Sequence, residues 1–156
     1  MRKPQIDVTI RTESDNLLER SAKLFASGAL QSSLSVALEA WDLIPEPKEA
    51  WDYYGQSLSA GFVVDYADLG DKKSCQKWVE IMAQMYDDPN HEDHYVLMQE
   101  GEAMYKLGDL ERAFYVFSRI EELYGPRGFK GEQRAYLAFI KEERGNRATN
   151  GSQGGE

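Results

Sequence analysis

HYVLMQEGEAMYKLGDLERAFYVFSRIEELYGP, residues 94–126, reads as two helices joined through one glycine. Leu97, Gly101, Met104 and Tyr105 recur at steps of three and four, the spacing of one helix face. Gly108 ends the first helix, because glycine enters the left-handed C-terminal conformation without a steric cost. Asp109 follows as a cap for the second helix, whose first turn carries Glu111 against the helix dipole. Ala113, Phe117 and Ile120 form the buried stripe of that helix, and Gly125-Pro126 stops it. Gly101 and Ala113 are small at the points where the helices of a hairpin come closest.

The same template stands 80 residues earlier, in SDNLLERSAKLFASGALQSSLSVALEAWDLIP, residues 14–45. Leu17 matches Leu97, Ser21 matches Gly101, Leu24 matches Met104 and Gly28 matches Gly108. Ser33, Ala37 and Ala40 match Ala113, Phe117 and Ile120. A middle copy is distorted. Trp51, Gly55 and Leu58 lie 34 residues after Leu17, Ser21 and Leu24, with Pro45 and Pro47 as stop and restart. The third copy then begins 46 residues after the second, and the extra 12 fall within Gly61 to Ser74. We read them as a first helix lengthened through Val63 to Tyr66 and a turn at Gly70-Asp71. A second helix follows, with Cys75, Trp78, Val79 and Met82 inward to about Tyr86. Asp88-Pro89-Asn90 ends it. One irregular loop over 61–74 is the alternative, disfavoured by its apolar run and by the rarity of such loops in compact domains.

Beyond the third copy, residues 131–144 read as a capping helix, with Tyr136, Phe139 and Ile140 on one face and charge on the other. Residues 145–156 lack any large apolar side chain and are rich in Gly, Asn and Ser, so a disordered tail is expected there. Residues 1–13 form an N-terminal extension with open readings. Ile6, Val8 and Ile10 alternate as in a strand, yet one strand has no sheet to join, which leaves a coil or an extra helical turn. The expected architecture is all-α: a helical-hairpin solenoid over 14–144, with three hairpins at about 14–45, 48–88 and 92–125 and a cap.

The chain has 156 residues, 42% apolar and 12% aromatic, enough for the core of one domain. No apolar run approaches the roughly 20 residues that span a membrane, and Met1-Arg2-Lys3-Pro4 leads into no signal-peptide core, so the cytoplasm is the expected compartment. Cys75, the single cysteine, falls on a buried stripe and reads as an inert thiol. The net charge is −9, and residues 87–122 hold ten acids against three bases. Such acidity disfavours nucleic acid and favours a basic protein partner; simple solvation of helix faces is the other reading. No phosphate-binding glycine loop, nucleophile elbow or zinc spacing is present, so no enzyme, metal or cofactor is expected. His91 and His94, among Asp87, Asp88, Glu92 and Asp93, read as a helix start rather than a metal site.

The helix–Gly–helix units resemble the tetratricopeptide repeat (TPR) family. That resemblance implies a concave binding face lined by the first helix of each hairpin. Leu18, Ala22 and Phe25 would come from the first hairpin, Asp52, Gln56 and Ser59 from the second. Met98, Glu102, Tyr105 and Lys106, with Asp109 beside them, would come from the third. The Lys and Asn clamp for a carboxylate that TPR proteins often carry is replaced by Asp52, Gln56, Met98 and Glu102. The implied ligand is a segment with Arg or Lys and some apolar surface. Phe25, Tyr53, Tyr54 and Tyr105 are candidate anchors, with core packing the expected fate of Phe25 and Tyr54. Trp41, Trp51 and Trp78 look too scattered to define a surface.

EAWDLIPEPKEAWD, residues 39–52, and YGPRGFKGEQRAYLAFIKEE, residues 124–143, further resemble small bacterial TPR immunity proteins of polymorphic toxin systems. This implies a protein that binds and neutralises a cognate toxin. An adaptor or secretion chaperone that holds a peptide segment of a non-toxic partner is the alternative.

Overall fold

Three helix pairs each turn on a glycine in the left-handed region: Gly28 (φ 86°), Gly70 (φ 74°) and Gly108 (φ 80°). The computed structural model describes residues 2–153, with side chains through residue 150. The pairs are α1 (Val8–Ala26) with α2 (Leu30–Asp42), α3 (Tyr54–Asp68) with α4 (Lys72–Met85), and α5 (His94–Lys106) with α6 (Leu110–Tyr124). A final helix, α7 (Arg134–Gln153), follows a 3-10 turn at Gly131–Gln133. All regular structure among the described residues is helical, and the fold is all-α with adjacent helices packed as hairpins. No helix among them is long and apolar enough to cross a membrane.

Residues 61–74 are not one loop: α3 runs through residues 63–66 to Asp68, and the turn falls at Gly70-Asp71. Asp71 caps α4 by accepting from the Ser74 amide at 3.1 Å. The repeat register differs from the one read in the sequence. The turn glycines are spaced by 42 and 38 residues, so the interval of 34 does not describe the hairpins. Trp51 lies outside α3, its indole donating to the Pro45 carbonyl at 3.0 Å. Gly55 is small for another reason: a Cβ there would meet Met85 Sδ at 2.8 Å, at the open end of the hairpin. The residue corresponding to Ser21 and Gly101 is Val63, whose carbonyl faces Cys75 Sγ at 3.4 Å.

The chain divides into two units, Met1–Pro89 and Asn90–Glu156, at the Asp88-Pro89-Asn90 break. In the first, Phe62, Val63, Cys75, Val79 and Met82 are buried between α3 and α4. The tryptophans are less scattered than their positions suggest. Trp41 meets Trp78 edge to face at 5.0 Å, and Phe62 lies 4.5 Å from Trp78, because all three fall on inward stripes. At the α1–α2 crossing Ser21 Oγ donates to the Ser33 carbonyl and Ser33 Oγ to the Ser21 carbonyl, both at 2.8 Å. The N-terminal extension resolves into helix from Val8 onward, preceded by an anchored segment. Ile6 is buried, the Pro4 carbonyl accepts from the Asp52 amide at 2.8 Å, and Lys3 Nζ reaches the Met85 carbonyl at 3.1 Å and Asp87 at 2.9 Å.

In the second unit Phe117 is fully buried against Gly101, where a Cβ would stand 2.5 Å from the ring. Tyr136 stacks on the same ring at 4.1 Å, which fixes the start of α7. The expected disordered tail is corrected here: α7 continues to Gln153, and residues 154–156 lie outside the described part. Basic side chains that composition alone leaves unassigned hold it. Arg144 pairs with Glu121 of α6 at 2.7 Å, and the Arg147 guanidinium lies 4.1 Å from the Phe114 ring centroid.

Candidate partner-binding surface

The residues expected on a binding face fall into four environments. Ser59 (0% exposed) and Met98 (2% exposed) belong to the core of their units, so they present nothing to a partner. Asp109 caps α6, accepting from the Arg112 amide at 3.1 Å. Asp52 and Gln56 are half-buried, and Gln56 Nε2 lies 3.4 Å from the Met85 carbonyl. Helical spacing alone cannot separate these positions, because the inward and outward stripes of a short helix are adjacent.

On α5, Glu102, Tyr105 and Lys106 come together, but α7 reaches part of this face. Tyr136 donates its hydroxyl to Glu102 at 3.3 Å, and the Tyr105 ring packs edge-on to Tyr136 and Phe139 at 5.4 and 5.2 Å. Burial first, then the Glu102 charge and hydrogen bond, push the Tyr136 phenol up to about 12. Tyr105 keeps 42% exposure and Lys106 is exposed. Near the start of α3, Tyr53 is 58% exposed and held at φ 76°, with the Tyr54 amide donating to the Asp52 carbonyl at 3.0 Å. Tyr54 is buried as expected, its hydroxyl on Asp15 at 2.7 Å. Phe25 is not: its ring is 53% exposed.

Most acids of 87–122 have structural work, which the charge count does not show. Asp93 caps α5, accepting from the Val96 amide at 3.0 Å. Glu100 is buried, with Arg112 Nε on its carboxylate at 2.9 Å, and its other oxygen faces His91 Nδ1 at 4.0 Å. His94 packs edge-on to Tyr124, with Nε2 against the Gly128 carbonyl. Among the described residues no group of three His, Cys, Asp or Glu side chains is arranged to hold a metal.

The surface missed in the sequence is on the second helix of the third hairpin. Glu111, Tyr115 and Glu122 are four and seven residues apart on one face of α6, and all three are exposed. Tyr115 is 54% exposed, and the Arg112 guanidinium lies 4.9 Å from its ring centroid while bonding Glu100. The arginine thus braces an exposed ring on a face that also carries two carboxylates. Its signal is present in the sequence, since Tyr115 falls off the Ala113–Phe117–Ile120 stripe. Searches of known protein families, of curated proteins and of solved structures find no match to this chain.

Proposed function

We propose that the chain is a protein-binding module of the TPR type, an immunity protein that binds and neutralises a cognate, basic toxin domain. The observation that carries this reading is the α6 face, where an exposed tyrosine braced by Arg112 stands between Glu111 and Glu122. Tyrosine is enriched at binding hot spots, and the flanking carboxylates favour a basic approach surface. Tyr105 and Lys106 on α5 supply a second exposed cluster in the same unit. The two phrases at 39–52 and 124–143 support the immunity assignment by resemblance. Binding alone suffices for this activity, so no catalytic group is invoked.

Co-expression with a toxin domain encoded by the neighbouring gene tests the reading. Restored growth and a stable complex on gel filtration are expected. Tyr115→Ala and Glu122→Lys should each weaken the complex about tenfold, the charge reversal with a changed salt dependence. A toxin that remains active and forms no complex overturns the proposal. A non-toxic partner held through a short peptide identifies an adaptor or chaperone instead.

A further inference from the structure

The first unit carries a groove that the reading of the third hairpin leaves unused. It is a shallow depression open to solvent, enclosing only about 10 Å³, and is lined by Phe25, Leu30, Ser33, Asp65, Asp68 and Leu69. Phe25 and Leu30 keep 53% and 38% of their surface exposed at the turn end of the first hairpin. Leu69 is half-buried at the end of α3. Apolar walls therefore meet carboxylates in one place. Asp65 is itself half-buried, and the charge bearing on it is a second carboxylate, Asp68. Burial first, and Asp68 second, raise the Asp65 carboxyl above its ordinary value. A carboxylate in this setting is destabilised by desolvation and by like charge, and an incoming cation offsets both.

We propose that this groove takes one lysine or arginine side chain from a protein partner, with its alkyl stem on Phe25 and Leu30 and its charge on Asp65. The chemistry of such a side chain, laid along the open depression, matches the lining. Its methylenes cover apolar surface while the cationic head reaches a polar end, and an aromatic face attracts the same cation. The inference rests on the reading that the partner is a basic protein, and it adds an anchoring site in the other unit.

Titration of the ¹⁵N-labelled full chain with blocked Gly-Lys-Gly, Gly-Arg-Gly and Gly-norleucine-Gly tripeptides tests it by amide chemical shift. The lysine and arginine peptides should give saturating shifts at Phe25, Leu30 and Leu69. The norleucine peptide, and the lysine peptide on Asp65→Asn, should bind about fivefold more weakly. If Asp65→Asn lowers the melting temperature, Phe25→Ala, which removes an exposed ring, carries the same comparison. Equal shifts from norleucine make the groove a plain apolar slot and overturn the proposal. Shifts confined to α5 and α6 overturn it as well. Groove shifts that follow protein concentration without peptide assign the groove to a second copy and overturn it too. The titration needs no toxin, so its failure is distinct from failure of the neutralisation experiment.

Discussion

At the crossing of α1 and α2 two serines exchange hydrogen bonds, while at the crossing of α5 and α6 a glycine faces a phenylalanine ring. The two hairpins follow one template 80 residues apart. Where the first pairs Ser21 with Ala37 in register, the third pairs Gly101 with Phe117. The ring occupies the volume that the glycine leaves. The first crossing is thus held by satisfied polar groups, which contribute modestly and tolerate exchange. The third is held by close packing around one fully buried ring, which tolerates neither loss nor addition of atoms.

Removing the ring should have the largest effect. Phe117→Ala is expected to destabilise the second unit by about 4 kcal/mol, since Phe117 also meets Phe129, Tyr136 and Phe139. Gly101→Ala should cost about 2 kcal/mol, because its Cβ meets Phe117 at 2.5 Å and Tyr136 blocks the ring's retreat. In the Phe117→Ala background the same alanine should become neutral or stabilising, as its helix propensity is then unopposed. Amide hydrogen exchange in α5 and α6 measures this cycle; an equal cost of Gly101→Ala in both backgrounds would break the comparison.

At the serine crossing the expected effects are smaller. Ser21→Ala and Ser33→Ala should each cost about 1 kcal/mol, and the double variant less than their sum, since the two hydroxyls also touch each other at 3.0 Å and either single change already removes that contact. All three tryptophans, Trp41, Trp51 and Trp78, precede Pro89, so fluorescence-detected urea unfolding follows the first unit specifically. An additive double variant would mean that the two hydroxyls act independently.

These crossings also mark how far the sequence could be read. Glycines at hairpin turns are legible because the left-handed conformation excludes most alternatives, and Gly28, Gly70 and Gly108 all sit there. A glycine inside a helix is ambiguous. Gly101 makes room for a ring, Gly55 for Met85 and Gly61 for nothing within 4 Å, yet all three read alike. That ambiguity is why the middle register came from Gly55 instead of Val63. Burial of individual polar groups was equally hidden. Glu100 and Glu111 look equivalent in a charge count, but the first is interior with Arg112 and the second exposed. The exposed face of α6 and the depression at Phe25 depend on such distinctions between neighbouring positions.

Gly61 sharpens the contrast from the stabilising side. It is exposed, helical and free of neighbours, so Gly61→Ala should stabilise the first unit by about 0.5–1 kcal/mol through lost backbone entropy in the unfolded chain. Fluorescence-detected urea midpoints check the sign. A destabilised variant would show that α3 needs flexibility at that step.

The last effect shows itself only at alkaline pH and separates the units by titration. Burial and acidic partners hold two phenols up to about 12, Tyr54 beside Asp15 in the first unit and Tyr136 beside Glu102 in the second. Each folded unit therefore keeps a proton that the unfolded chain, with a tyrosine value of 10.0, releases earlier. The resulting stabilisation is complete below pH 10 and is lost as pH rises towards about 12. Tyr54→Phe should flatten that alkaline loss in the fluorescence-detected unfolding of the first unit and leave hydrogen exchange in α5 and α6 unchanged. Tyr136→Phe should do the reverse. A Tyr54→Phe protein whose first unit weakens over this window as steeply as the parent would place the titration in another group. The Asp15 hydrogen bond would then be a contact without linkage to folding.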